Sequence, residues 1–154
     1  MQIELCSKSD FNQILTDIVD FWGSDRTLSL HHPMFIYEFG NTAFVIKDKE
    51  KVVAYLFGFF SQTDTTGYVH LIGVRQGFQK LGFGKLLYDH FTNIAKSRGC
   101  HKVKAMTTEG NKASISFHQK IGMKLCGEKN DEGLEVVKDY SGPGLDRVVF
   151  EKEI

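Results

Sequence analysis

Apolar positions along the chain alternate between a spacing of two and a spacing of three to four, and each switch marks an element. Ile3 to Cys6 reads as a short apolar strand, after which Ser7 and Asp10 suit the start of a helix. Phe11, Ile14, Leu15, Ile18, Val19 and Trp22 then form one helical stripe, with Trp22 packing in the core or at the helix end. Gly23 to His32 is polar, and Pro33 opens a short helical piece through Phe39. Thr42 to Lys47 and Lys51 to Gln62 predict a hairpin turning through Asp48-Lys49-Glu50. The second of these strands is apolar on both faces, as suits a central strand covered by helices.

Past the turn at 62–67, Val69, Leu71, Ile72 and Val74 give a further interior strand. A glycine-bearing loop follows, and then a long helix whose apolar face carries Phe83, Leu86, Leu87, Phe91, Ile94 and Ala95. Arg98 lies in its last turn and Gly99 is placed as its C-cap. Lys102 to Thr107 predicts a strand, Asn111 to Ile121 a helix closed by Gly122, and Lys124 to Glu128 the start of another strand. The stretch 130–140 fits no single element, Ser141-Gly142-Pro143-Gly144 is a turn, and Asp146 to Lys152 is a final strand. Strands and helices in this order predict a single-domain α/β fold over 1–154, a mixed sheet with helices on both faces.

Composition narrows the picture further. A chain of 154 residues suits one domain with one sizeable core, and 13 phenylalanines make that core aromatic. Nineteen basic and nineteen acidic residues cancel, which points away from nucleic acid and anionic membranes as partners. No apolar run approaches the ~18 residues of a membrane span and no leader pattern opens the chain. Cys6, Cys100 and Cys126 have no metal spacing and make no even set for disulfides, so a reduced, cytoplasmic setting is expected.

The loop between the interior strand and the long helix carries the clearest chemistry. Gly77, Gly82 and Gly84 let the backbone turn tightly at a helix N-terminus, where free N–H groups and the helix dipole both favour an anion. It is not a Walker loop, since Phe83 rather than lysine follows Gly82, and it is not a dinucleotide fingerprint, since Leu87 stands at the third glycine. Gln79-Lys80-Leu81-Gly82-Phe83-Gly84, five residues after Val74, resembles instead the acetyl-coenzyme A signature of the GNAT superfamily of N-acetyltransferases, Arg/Gln-x-x-Gly-x-Gly/Ala. Gln76 stands where many members have proline and Lys80 where many have glycine; neither change removes a required N–H. A second stretch, Asn111-x-x-Ser114-Ile115-x-Phe117-His118 through Gly122-Met123, is similar to the family's Asn-x-x-Ala-x-x-Phe-Tyr-x-x-x-Gly-Phe, with His118 at the tyrosine position. Recognisable resemblance runs from about 68 to 123, and the flanks agree in element order only.

The resemblance implies a mostly antiparallel sheet splayed open at the acetyl-coenzyme A site. It places the coenzyme's pantetheine arm on Ile72, Gly73 and Val74, and its pyrophosphate on Gln79 to Gly84 with Lys85. It further implies contacts from Asn111, Ser114 and Phe117, an oxyanion met by a main-chain N–H near Ile72 or Gly73, and no metal. The region between the first two strands would wall the acceptor pocket, which makes Trp22, Asp25, Arg26, His31, His32 and Glu38 candidates for acceptor contacts. An amine acceptor must lose a proton, and His70 is the candidate base, with Glu109 and a water-relayed Glu38 as competitors. His118, near the coenzyme sulfur, is the candidate donor to the departing thiolate. The expected activity is acetyl transfer to a primary amine of a small molecule by direct attack, with a homodimer as the candidate assembly. The alternatives are a protein or peptide acetyltransferase and an acyl-coenzyme A-binding module without turnover.

Overall fold

A computed structural model describes residues 1–154. It has the α/β class expected, with seven strands in one open, mostly antiparallel sheet. Two units divide the chain: 1–59 with 69–94, and 60–68 with 95–154.

In the first unit the elements are β1 (Ile3–Leu5), α1 (Lys8–Thr16), α2 (Ile18–Trp22), α3 (Met34–Tyr37), β2 (Ala43–Asp48), β3 (Lys51–Phe60), β4 (Thr66–Val74) and α4 (Phe83–Ser97); the ends of β3 and α4 and the start of β4 fall in the second. Ser7 starts α1 with a capping box: its hydroxyl accepts from Asp10 N at 3.1 Å, and the Asp10 carboxylate accepts from Ser7 N at 2.9 Å. The single helix expected from 11 to 22 is broken at Asp17 (φ −99°, ψ 19°), and the break re-aims the second half. Phe21 is therefore buried, while Val19, expected inside, is exposed. Strand β2 pairs antiparallel with β1 (Leu5↔Phe44) and with β3 (Ala43↔Phe57), with a bulge between Ile46 and Lys47.

Alternation along β2 puts Ala43 and Val45 into one core, with Phe11, Ile14, Ile18, Phe21, Phe35, Val52, Tyr55, Phe57 and Leu71. Phe44, on the opposite face, meets His90 of α4 edge-on at 4.7 Å, so helices cover both faces of this part of the sheet. Leu87, Phe91 and Ala95 are the inward stripe of α4; Leu86 is exposed, and Tyr88 is buried in its stead.

In the second unit are β5 (Lys102–Thr107), α5 (Lys112–Lys120), β6 (Lys124–Cys126), β7 (Glu128–Lys129), β8 (Glu135–Val136) and β9 (Val148–Glu153). The last strand is the inner one, antiparallel to β5 (Ala105↔Phe150) and to β6 (Leu125↔Phe150). The undecided stretch after 128 holds a small antiparallel ribbon, β7 with β8. Gly127 permits it: its φ is +101°, and a Cβ there would lie 2.1 Å from the Val136 carbonyl oxygen. No helix is long and apolar enough to cross a membrane.

Candidate active site

The glycine loop is built from backbone. After β4 the chain passes through Arg75, a 3₁₀ turn at Gln76–Phe78 and an extended Gln79. Lys80 (φ 65°) and Gly82 (φ 88°) are then both left-handed. The first intrahelical bond of α4 runs from Leu86 N to Gly82 O at 3.0 Å, so the N–H groups of Phe83, Gly84 and Lys85 have no acceptor within the helix. A Cβ at Gly82 would meet nothing within 4 Å, which leaves the approach to those groups open. The loop thus fits the diphosphate of acetyl-coenzyme A, an anion taken up by helix-end N–H groups. Gln79 closes the loop by donating its side-chain amide to Val74 O at 3.3 Å. Leu81 is exposed, and the Lys85 ammonium pairs with Asp89 at 2.5 Å on the open face of α4.

Arg75, a residue that the sequence pattern did not single out, anchors this loop. It is buried, with its guanidinium 4.6 Å above the Phe21 ring. Its Nε donates to Val52 O at 3.0 Å, its Nη1 to Asp20 at 2.7 Å and its Nη2 to Asp17 at 2.9 Å. Its backbone N–H donates to Val53 O at 2.9 Å. The clamp joins the α1–α2 corner, β3 and the start of the loop.

A cluster of aromatic and imidazole rings occupies the same unit. Trp22 Nε1–H donates to the Tyr55 hydroxyl at 2.7 Å, and His31 Nε2 lies 2.6 Å from the same oxygen. His31 is buried, and its Nδ1 is 2.8 Å from Thr27 O. Phe35 stacks on His70 (5.0 Å, 25°) and on Phe57 (6.0 Å, 17°). Exposed His32 stacks on Phe35 from outside at 6.4 Å. Burial pushes the proton affinity of His70 below its ordinary value, and the neighbouring imidazoles of His32 and His31 push it the same way. His31 is lowered as well, mainly by burial, against the opposing pull of the Thr27 carbonyl.

Of the other acceptor candidates, Asp25 and Glu38 are exposed. Arg26 turns inward on its own loop, donating to Trp22 O at 2.7 Å and Ser24 Oγ at 3.0 Å. Ile72 and Val74 are half-buried on β4, and Gly73 between them is buried. Phe83 begins α4 with its ring near Phe78.

The second unit holds the other motif. Asn111 is the N-cap of α5, its Oδ1 accepting from Ser114 N at 3.1 Å. His118 is buried flat on Phe150 (4.3 Å, 9°) and edge-on to Phe117 at 5.2 Å. Its Nδ1–H donates to Ser114 O at 2.7 Å, and burial drives its pKa down to about 4. An imidazolium at this position is therefore disfavoured near neutral pH, which weighs against the proton-donor role expected of it. Glu109 is exposed and accepts from Asn130 at 2.9 Å.

The structure thus brings Trp22, His31 and His70 into one aromatic cluster with Tyr55 and Phe35, and leaves Asp25, Glu38 and Glu109 at the surface. It also bears on nucleophilic catalysis by cysteine. Burial pushes Cys6 up to about 12 and Cys126 up to about 11, and raises Cys100, so all three are thiols at neutral pH.

Comparisons with known proteins accord with this geometry. No curated protein sequence matches the chain. Among solved structures, Naa20 of Chaetomium thermophilum, in complex with a bisubstrate analogue, superposes with a TM-score of 0.76 at 15% identity, over 100% of this chain and 87% of that one. The ribosomal-protein-alanine N-acetyltransferase of Brucella melitensis gives 0.68 at 20% identity, over 100% of both chains. An aminoglycoside 6′-N-acetyltransferase complexed with coenzyme A gives 0.69 at 14%, over 99% of this chain and 97% of that one. These likenesses establish the fold. The family model for the acetyltransferase (GNAT) family matches residues 11–123, through both the glycine loop and the Asn111 motif, and the chain belongs to that family.

Proposed function

We propose that residues 1–154 work as one N-acetyltransferase domain, in the cytoplasm, moving the acetyl group of acetyl-coenzyme A to a primary amine of a small molecule. The observation that carries this reading is the helix-end cradle at Gly82 within a stretch matched by the GNAT family. Acetyl-coenzyme A supplies a thioester, whose C–S bond breaks as the amine nitrogen forms the new C–N bond. Phe83, Gly84 and Lys85 would hold its phosphates, with Lys80 nearby, and the β4 backbone around Ile72 and Gly73 would meet the charge developing on the acyl oxygen. Asn111 and Ser114 stay candidates for the pantetheine arm.

His70 is the base in this reading. Half-buried beside two further imidazoles, it is neutral at pH 7 and has a lone pair to offer. It takes the proton as the C–N bond forms, when the nitrogen becomes strongly acidic, so a lowered proton affinity is no obstacle. The acceptor must arrive as free amine, and the rate should rise with pH as that fraction grows. Direct attack is favoured over an acyl-enzyme because Cys6, Cys100 and Cys126 all lie outside both the glycine loop and the Asn111 motif.

A second reading, transfer to a peptide N-terminus, is favoured by the exposed Leu28, Leu30, Met34 and Tyr37 on the segment between α2 and β2. The experiment that separates these follows coenzyme A release across amines, aminoglycosides and peptides. The expected result is release only with an amine present, matched one for one by N-acetyl product. A burst of coenzyme A without acceptor would overturn direct transfer. Tight coenzyme binding with no transfer to any acceptor would favour a module without turnover.

A further inference from the structure

We propose that Tyr55 is a positioning residue whose hydroxyl sets where the acceptor-side loop, residues 22–31, stands against β4; the inference rests on the reading of that loop as the acceptor wall. Tyr55 lies fully buried in β3, and the far end of its ring presses on β4. A Cβ at Gly73 would come within 2.6 Å of Tyr55 Cε1, 2.7 Å of Cζ and 2.8 Å of the hydroxyl oxygen, so a residue without a side chain is needed there.

The protons around that hydroxyl can be assigned from their partners. Thr27 O can only accept, so the His31 nitrogen 2.8 Å from it, Nδ1, carries the ring proton. His31 Nε2 is then a lone pair, and the Tyr55 hydroxyl donates to it at 2.6 Å. The same oxygen accepts from Trp22 Nε1–H at 2.7 Å. One hydroxyl thus binds both ends of the loop: Trp22 at the close of α2, and His31 just after the 3₁₀ turn at Leu28–Leu30.

Of the residues between, Gly23 N donates to Val19 O of α2 and Leu30 O accepts from His32 N, and the remaining bonds stay within the loop. Arg26 bonds Trp22 O and Ser24 Oγ, Leu28 N bonds Asp25 O, and Leu30 N bonds Thr27 O. The buried Thr27 hydroxyl has no partner, so Thr27 is held through its carbonyl and His31. The Tyr55 oxygen is thus the hydrogen-bonded link between the loop and the strand at Gly73, beside the ring stacking of Phe35 on His70.

Tyr55→Phe tests this, since it keeps the ring against Gly73 and removes only the oxygen. Trp22 is the sole tryptophan, so its indole N–H resonance reports the broken bond. Amide hydrogen exchange over 22–31 should quicken about 3- to 10-fold while that over 76–84 is unchanged, the share expected of one or two buried hydrogen bonds. The acceptor KM should rise by a similar factor, with kcat and the coenzyme dissociation constant within about twofold of the parent. His31→Gln, which can still accept from the hydroxyl, should restore part of the loss seen in His31→Leu.

Unchanged exchange over 22–31 in a folded Tyr55→Phe overturns the proposal, and so does faster exchange with an unaltered acceptor KM. If Tyr55→Phe does not fold, Trp22→Phe removes one of the two bonds and is read by the same measurements. A parent enzyme that acetylates no amine would refute the acetyl-transfer reading; the exchange data would still decide whether the hydroxyl holds the loop.

Discussion

The loop at 75–84, proposed to cradle phosphate, and the segment at 22–39, proposed to wall the acceptor, lie in one unit and are held by opposite means. The cradle takes its shape from main-chain angles, and the groups it offers an anion are N–H groups that nearly every residue type carries. Side-chain identity matters there chiefly at Gly82, where φ is +88°, and at Arg75, which anchors the loop from behind. The wall is placed by side chains: Trp22 and His31 on Tyr55, and Phe35 between Phe57 and His70. Such a division suits an enzyme family with one shared donor and many acceptors. A backbone cradle tolerates drift in sequence, whereas a wall of interlocked rings can be re-cut for a new acceptor by a few substitutions.

The strongest way to break this contrast is Gly82→Glu. Placing a carboxylate beside the helix-end N–H groups should weaken coenzyme binding by about 100-fold or more, read by calorimetry, with the Trp22 indole resonance unmoved. Unaltered affinity in a folded variant would refute the cradle. His70→Ala should act on the other side. Turnover at pH 7 should fall by about 100- to 10,000-fold, recovering partly at higher pH as free amine accumulates, while coenzyme affinity stays near that of the parent. Full activity across the pH range would remove His70 as the base.

His118 supplies a control outside both regions. Its folded pKa, about 4, lies below the ordinary 6.5, so between these values the unfolded chain binds a proton that the folded chain refuses. The contribution is fully present above pH 6.5 and is lost as pH falls toward 4, amounting to about 3 kcal/mol. Urea melts of His118→Phe should show a correspondingly flatter decline over that range; a decline as steep as the parent's would place the acid sensitivity elsewhere. The smallest of these effects should come from Arg75→Met. Asp17 and Asp20 are partly exposed and can be rehydrated, so the loss should be about 2 kcal/mol of stability with a modest rise in the coenzyme dissociation constant. Arg75→Lys should recover part of it. A coenzyme constant that does not move would make the clamp purely structural.

How much of this could be read from the residues alone follows the same line. The cradle was legible because glycines before an apolar helical stripe are a local pattern, and so were β2, β3, β4 and α4. The break at Asp17 was not, since Val19 and Phe21 compete for the inward position and only tertiary packing decides between them. Tyr55 sits in an apolar run and reads as core; its role comes from residues 24 and 33 positions away. Arg75 ends an apolar strand directly before the glycines, a signal that was present, but its carboxylate partners stand 55 and 58 positions earlier. His118 was expected to face the chemistry because of the tyrosine it replaces, and only the ring of Phe150 beneath it reveals the burial that disfavours its charge.

Lys80 carries a consequence for how this chain can change over time. It is the one residue of the cradle with a side chain and a left-handed backbone (φ 65°), a conformation that costs an ordinary residue about 1–2 kcal/mol. The simplest stabilising replacements are asparagine and glycine, the residues most at ease there. Each would delete a cation from a loop proposed to bind phosphate. The glycine that many family members carry here relieves the backbone and gives up that cation; this chain keeps the cation and carries the strain.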